Sequence, residues 1–211
     1  VLAANYPFAT IEPNIGVVNL PDPRLERLAQ IHKSEKILPA AVSFVDIAGI
    51  VKGASVGEGL GNQFLANIRE ADAIAQVVRG FSDSDVVHVD GKVDASSDIE
   101  TINTELILAD MQTLEKARPR LEKEVKGKKV GPEVLETIDE ALKVLNGGKP
   151  LSLSNIDLEP IKELGLLTAK PILFVFNVDE EILTDPAKKK QLADLVAPAE
   201  AVFQMPRLRV S

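Results

Sequence analysis

The sequence predicts an α/β fold, a mostly parallel sheet interrupted by a helical insertion. Three observations carry that reading. Short β-branched runs alternate with helix-period stretches through the first half of the chain, the pattern of a layered sheet-and-helix domain. The middle of the chain then turns wholly helical, and one more buried-type strand, Ile172 to Phe176, follows it. A length of 211 residues, 45% apolar and 27% charged, suits a packed core rather than a disordered chain.

The elements follow in order. Ile15 to Leu20 reads as a strand that stops at Pro21-Asp22-Pro23. A helical run from Arg24 to Lys33 places Leu25, Leu28, Ala29 and Ile31 on one side, with His32 near its end in a structural position. Ala41 to Val45 is a compact strand running into Asp46-Ile47-Ala48-Gly49. The glycines from Gly53 to Gly61 weaken any helix or strand drawn across them, so this stretch reads as a mobile loop. Asn62 to Glu70 is helical, and Ala73 to Val78 is a strand ending at Arg79-Gly80-Phe81. From Asp98 to about Asn146 two apolar faces recur at helical spacing, and the break at Gly127 to Pro132 predicts an antiparallel helical hairpin.

Charge and composition exclude several classes. Zero cysteines remove disulfides and thiolate-ligated metals, and two histidines make a histidine-rich metal centre a poor fit. Net charge is −8, against a duplex-DNA binder working by bulk phosphate neutralisation, so no sequence-specific DNA partner is expected. No apolar run approaches the roughly 20 residues of a membrane helix, so no membrane partner is expected either. The opening Val1-Leu2-Ala3-Ala4-Asn5 carries no export signal, and the expected location is cytoplasmic. One segment runs against the acidic balance. Thr113 to Lys129 holds Lys116, Arg118, Arg120, Lys123, Lys126, Lys128 and Lys129 against three glutamates, and reads either as a solvated tip or as a docking surface for RNA or an acidic partner.

The chemistry-bearing motifs lie at strand ends. A strand followed by Asp46-x-x-Gly49 is the arrangement P-loop nucleotidases use at Mg²⁺ and the γ-phosphate: the carboxylate holds a metal-bound water, and the glycine lets its N–H approach the phosphate. Asp46 alone equally suits a turn or a helix cap. Order adds weight, because a loop bearing Thr10 precedes it and the strand ending in Asn177-Val178-Asp179-Glu180 follows. The Thr10 hydroxyl suits Mg²⁺ ligation when the γ-phosphate is present. In the last segment GTPases carry Asn-Lys-x-Asp, whose aspartate accepts from guanine N1–H and the 2-amino group. Val178 and the longer Glu180 undo that geometry and favour adenine.

Taken together, Asn5-Tyr6-Pro7-Phe8-Ala9-Thr10-Ile11-Glu12-Pro13-Asn14, Asp46-Ile47-Ala48-Gly49-Ile50-Val51-Lys52-Gly53-Ala54, Gly57-Glu58-Gly59-Leu60-Gly61-Asn62-Gln63-Phe64-Leu65, Val86-Val87-His88-Val89-Asp90-Gly91-Lys92 and Asn177-Val178-Asp179-Glu180 resemble the YchF, or Obg-like ATPase, family from about Leu2 to Phe203. The resemblance implies a P-loop NTPase, G-domain-like fold with an inserted α-helical coiled-coil arm and a separate TGS domain. It also implies binding of ATP (or GTP) with Mg²⁺, slow hydrolysis, and association with the ribosome through ribosomal RNA or protein. On this pattern Thr10 and Asp46 are the metal residues, and Gly49, Asn177, Val178 and Glu180 contact the nucleotide. Ile50 and Val51 stand where related enzymes keep a water-orienting glutamine, which makes His88 the candidate catalytic group. The implied domains are a partial G domain over 1–95 and 166–211, and a helical arm over 96–165.

The family's Gly-x-x-x-x-Gly-Lys-Ser loop, due about 20 residues before Thr10, is not found in the 211 residues, and 204–211 does not resemble the family's continuation. The expectation is therefore a fragment lacking the phosphate-binding loop, the first strand and the TGS domain, which binds ATP more weakly than an intact relative and leaves Val42, Phe44 and Ile74 partly uncovered. Two alternative readings fit the same sequence: a non-enzymatic ribosome- or RNA-docking module, and a GTP-binding GTPase.

Overall fold

A computed structural model describes residues 14–46, 60–81, 94–188, 190 and 193–197. The chain forms two compact units, 1–49 and 50–211.

In the first unit, β1 (Asn14–Asn19), α1 (Pro23–His32) and β2 (Ala41–Asp46) follow one another. The start of α1 is set by two neighbouring residues. Asp22 caps the helix, its Oδ1 accepting the Arg24 N–H at 3.0 Å, and Pro23 stands at the first helical position, where a missing N–H costs nothing. The helix ends at Lys33, in the left-handed region, whose N–H donates to the Ala29 carbonyl. β1 and β2 pair antiparallel from Asn14↔Asp46 to Asn19↔Ala41. Strand–helix alternation does not reveal this pairing. The connection does: the Leu20 N–H donates to the Ala40 carbonyl at 2.8 Å, so the chain returns to the edge it left and α1 rides in an enlarged hairpin loop. Val42 and Phe44 are exposed, as expected from the sequence. His32 is exposed at the end of α1.

In the second unit, α2 (Leu60–Glu70) begins two residues ahead of the expected start and takes in Gly61. β3 (Ile74–Arg79) and β4 (Ile172–Asn177) pair in parallel, from Ile74↔Ile172 to Arg79↔Asn177. The described strands thus divide into one antiparallel and one parallel pair, within the α/β class.

Between β3 and β4 run α3 (Ala95–Lys126) and α4 (Glu133–Asn146). Asp94 opens α3 by accepting the Ser96 and Ser97 N–H groups. Buried Ile107, Leu114 and Leu121 recur at heptad spacing and meet Val134, Ile138, Ala141 and Leu145 of α4, a coiled-coil-like seam. Pro119 sits inside α3 on an exposed position, where water can serve the carbonyl its missing N–H leaves free. After α4 the chain folds as two 3₁₀ turns, Leu151–Leu153 and Glu159–Leu164, which pack Leu151 and Ile161 on the same core.

A second cluster joins the root of α3 to the sheet: Val78, Ala95 and Ile99 pack with Ile172, Phe174 and Phe176. Asp110, fully buried in α3, fixes the approach to β4. Its carboxylate accepts the Leu167 N–H at 2.8 Å, the Thr168 N–H at 2.7 Å and the Thr168 hydroxyl at 2.7 Å. Burial pushes this carboxyl above its usual range, opposed by those three bonds and by the positive charge of Arg69. Lys170 closes the joint by donating to the carbonyls of Arg69 and Ala71.

Candidate functional site

The carboxyl ends of parallel strands are where open α/β sheets hold ligands, because the strands deliver their following loops side by side there. β3 and β4 end in register at Arg79↔Asn177, and the ladder is extended by Gly80, whose N–H donates to the Asn177 carbonyl at 2.7 Å. A cleft of about 770 Å³ opens at this edge, walled by Gly80, Asp179, Glu180, Ile182 and Lys188 among others.

Gly80 keeps the corner open. A Cβ there would lie 2.5 Å from Leu195 Cδ2 and 2.9 Å from Val178 Cγ1, closer than real side-chain carbons approach. Val178 is half-buried against this corner. The next residues turn into α5 (Glu180–Thr184), which puts Glu180 at the helix start and exposed, and the Asp179 carbonyl accepts the Ile182 N–H. The side chains of Asn177 and Glu180 make no hydrogen bond or ion pair with another described residue, and both are exposed. They are therefore available to an outside ligand.

The cleft lining also carries an ion pair between Lys188 and Glu181, which holds the Glu181 carboxyl below its ordinary value and the Lys188 ammonium above its own. On the β3 side Arg79 donates from Nε to the Phe81 carbonyl and lays its guanidinium 4.6 Å from the Phe81 ring centre, a cation–π contact.

The predicted residues divide as follows. Glu180 walls the cleft, while Val178 packs at the Gly80 corner and Asn177 ends β4 at the same sheet edge. Asp46 is the last residue of β2, paired with Asn14 and exposed, and its carboxylate makes no hydrogen bond with another described residue. Thr10, Gly49 and His88 lie outside the described residues, as do the glycine-rich stretch 51–59 and the missing-loop expectation at the N-terminus. Among the described residues no three or more His, Cys, Asp or Glu gather as a metal site, and no helix is long and apolar enough to cross a membrane. A smaller hollow of about 360 Å³ in the first unit, walled by Leu20, Pro21, Leu25 and Pro39, includes none of the predicted residues. Gly80 and the Glu181–Lys188 pair are site features that the sequence reading passed over. The Gly immediately after a strand end was the visible signal for the first; the second joins residues that only the fold of 180–188 brings together.

A family model described as "50S ribosome-binding GTPase" matches residues 1–112. The chain is 50% identical over 204 residues to the ribosome-binding ATPase YchF of Haemophilus influenzae, covering 95% of this chain and 56% of that protein. It is 48% identical over 197 residues to the protein of the same name from Bacillus subtilis, covering 92% and 54%. The solved structure of the Schizosaccharomyces pombe YchF GTPase superposes with a TM-score of 0.72 at 36% identity, over 97% of this chain and 57% of that one. The chain spans a little over half the length of these relatives.

Proposed function

The chain belongs to the YchF family, and on that premise we propose that it takes ATP with Mg²⁺, hydrolyses it slowly, and serves a regulatory role at the ribosome in the cytoplasm. The observation that supports it best is the β3–β4 edge, where Asn177 and Glu180 present unpartnered polar groups beside a cleft of about 770 Å³. The Asn177 amide carries both a donor and an acceptor, the combination that complements the amino group and ring nitrogen of adenine. Val178 packs into the Gly80 corner, so no lysine stem covers a purine from that position. Glu180, one carbon longer than the aspartate of guanine-reading sites, does not reproduce the short carboxylate that accepts from guanine N1–H and N2.

The remaining roles follow the family pattern. The Thr10 hydroxyl and the Asp46 carboxylate would be the oxygen donors for Mg²⁺, and the exposed, unpartnered carboxylate of Asp46 at a strand end suits a hard cation that prefers oxygen ligands. The ion supplies charge neutralisation on the phosphates when bound. On that pattern the Gly49 N–H would serve the γ-phosphate, and His88 would position the attacking water in place of the glutamine that Ile50 and Val51 do not provide. Residues 1–95 and 166–211 form the G-domain part and 96–165 the arm.

Competition between ATP and GTP tests the reading. In a version carrying a Gly-x-x-x-x-Gly-Lys-Ser loop, Glu180→Asp with Val178→Lys should move the ATP-to-GTP ratio of dissociation constants toward GTP by about tenfold, the equivalent of one good hydrogen bond. An unaltered ratio would remove this segment from base selection.

A further inference from the structure

The cleft at the β3–β4 edge holds a cation that the nucleotide reading does not use. Asp179, Glu180 and Glu181 bring carboxylates to its lining, and among the described residues there Lys188 is the sole basic one. Its ammonium does not stand free, because the Glu181 carboxylate holds it in an ion pair. The local fold creates that pair. The Asp185 N–H donates to the Glu181 carbonyl at 3.0 Å and the Lys188 N–H to the Asp185 carbonyl at 3.0 Å, so two successive turns carry residue 188 round to residue 181. The other nearby carboxylates do not compete for it. Asp185 is already used, its Oδ1 accepting the Ala187 N–H at 2.8 Å, and Asp179 acts on Lys188 through its charge alone.

A free ammonium in a purine site is not indifferent to the base. Guanine presents two acceptors side by side, O6 and N7, and a lysine or arginine at that edge is the common way proteins select it. Adenine carries an amino donor where guanine has O6, and an ammonium, which has only donors, gains less there. An unmasked lysine in this cleft would therefore reward guanine. Stability does not explain the pair equally well. The Glu181 side chain is 77% exposed, and ion pairs at such positions add little to folding. The pair costs the cleft its one cationic donor, and the base that loses by this is guanine.

Given the nucleotide reading above, on which this rests, we propose that Glu181 is a specificity-determining residue: by holding Lys188 it withholds an ammonium from the O6 and N7 edge of guanine and so favours adenine. Specificity here comes from denying a contact to the wrong base rather than from adding one to the right base. Val178 contributes in the same sense, since it supplies no lysine stem at its own position. Glu181 acts through Lys188, so the two side chains must have unequal effects when each is removed. Loss of Glu181 frees a cation; loss of Lys188 leaves none to free.

The test uses the full chain labelled with ¹⁵N and two probes, ATP–Mg²⁺ and GTP–Mg²⁺, each titrated while the Gly80 amide is followed by NMR. That amide lies on the cleft and away from the substituted positions. Glu181→Gln keeps the side-chain shape and removes the charge. It should move the ATP-to-GTP ratio of dissociation constants toward GTP by about fivefold, the worth of one charge-assisted hydrogen bond after discounting for solvent. Lys188→Met breaks the same ion pair yet should leave the ratio within about twofold of wild type, and Glu181→Gln combined with Lys188→Met should return it to that value. A purely structural pair would give the same shift from either single change. Thermal midpoints of all three variants should match wild type, since the pair lies at the surface. An unchanged ratio in Glu181→Gln, or an equal shift in Lys188→Met, would overturn the inference while ATP binding itself persists. If neither nucleotide moves the Gly80 amide of wild type, the nucleotide reading fails and this assignment falls with it.

Discussion

At Gly80 the absence of one carbon decides how the cleft is built. The Val178 and Leu195 side chains occupy the space a Cβ would need. Gly80→Ala should therefore force Val178 away from the corner and destabilise the protein by about 1–3 kcal/mol, the usual cost of overpacking. Urea unfolding reads the loss, and a midpoint within error of wild type would mean that the corner relaxes freely. The same residue shows what sequence reading reaches. That a glycine follows a strand end is visible in Arg79-Gly80-Phe81, but the two side chains that make it necessary come from residues about a hundred positions later. Asn177, Val178 and Glu180 could be proposed together for the opposite reason: their chemistry is contiguous in sequence, and contiguity survives without knowledge of the fold.

Asp110 acts at the scale of elements, joining α3 to the segment that leads into β4. Asp110→Ala would leave two buried backbone N–H groups and a buried hydroxyl without an acceptor, each worth about 1–3 kcal/mol before relaxation. A loss of at least about 3 kcal/mol in urea unfolding is expected. The pH dependence follows from the raised native value. The folded state holds this proton to higher pH than the unfolded chain, so the group's contribution is complete below the unfolded value of about 3.9 and declines as pH rises through the raised native value. The stability of wild type minus that of Asp110→Asn should shrink between pH 4 and 7; growth over that range would show that the three hydrogen bonds outweigh burial. The hairpin was readable because 3.6-residue periodicity persists over long helices and glycine and proline mark its turn. A lone aspartate following Leu106-Ile107-Leu108-Ala109 carried a signal too, a charge on an apolar face. Strand pairing had no comparable signal, since alternation gives the elements and not their neighbours, and the antiparallel β1–β2 ladder appeared only with the Leu20–Ala40 bond.

Over the whole molecule, burial is unevenly distributed. No residue of 14–46 is buried, whereas Leu114, Ile138, Ala141 and Leu167 in the second unit are wholly enclosed. Amide hydrogen exchange should follow that division. The β1–β2 amides are expected to exchange through low-cost local opening, at least a hundredfold less protected than the amides of α3 and α4 that flank the heptad seam. Equal protection of both would indicate a single cooperative unit. The tie made by Lys170 also bears on the order of assembly. It joins Ala71 to a residue 99 positions away, at the point where two ends of a long excursion meet. The hairpin inside that excursion is local and should form early, in the time of helix pairing; the parallel ladder must wait for distant ends to find each other. A chain still leaving the ribosome would therefore possess its arm before it possesses the edge at Asn177.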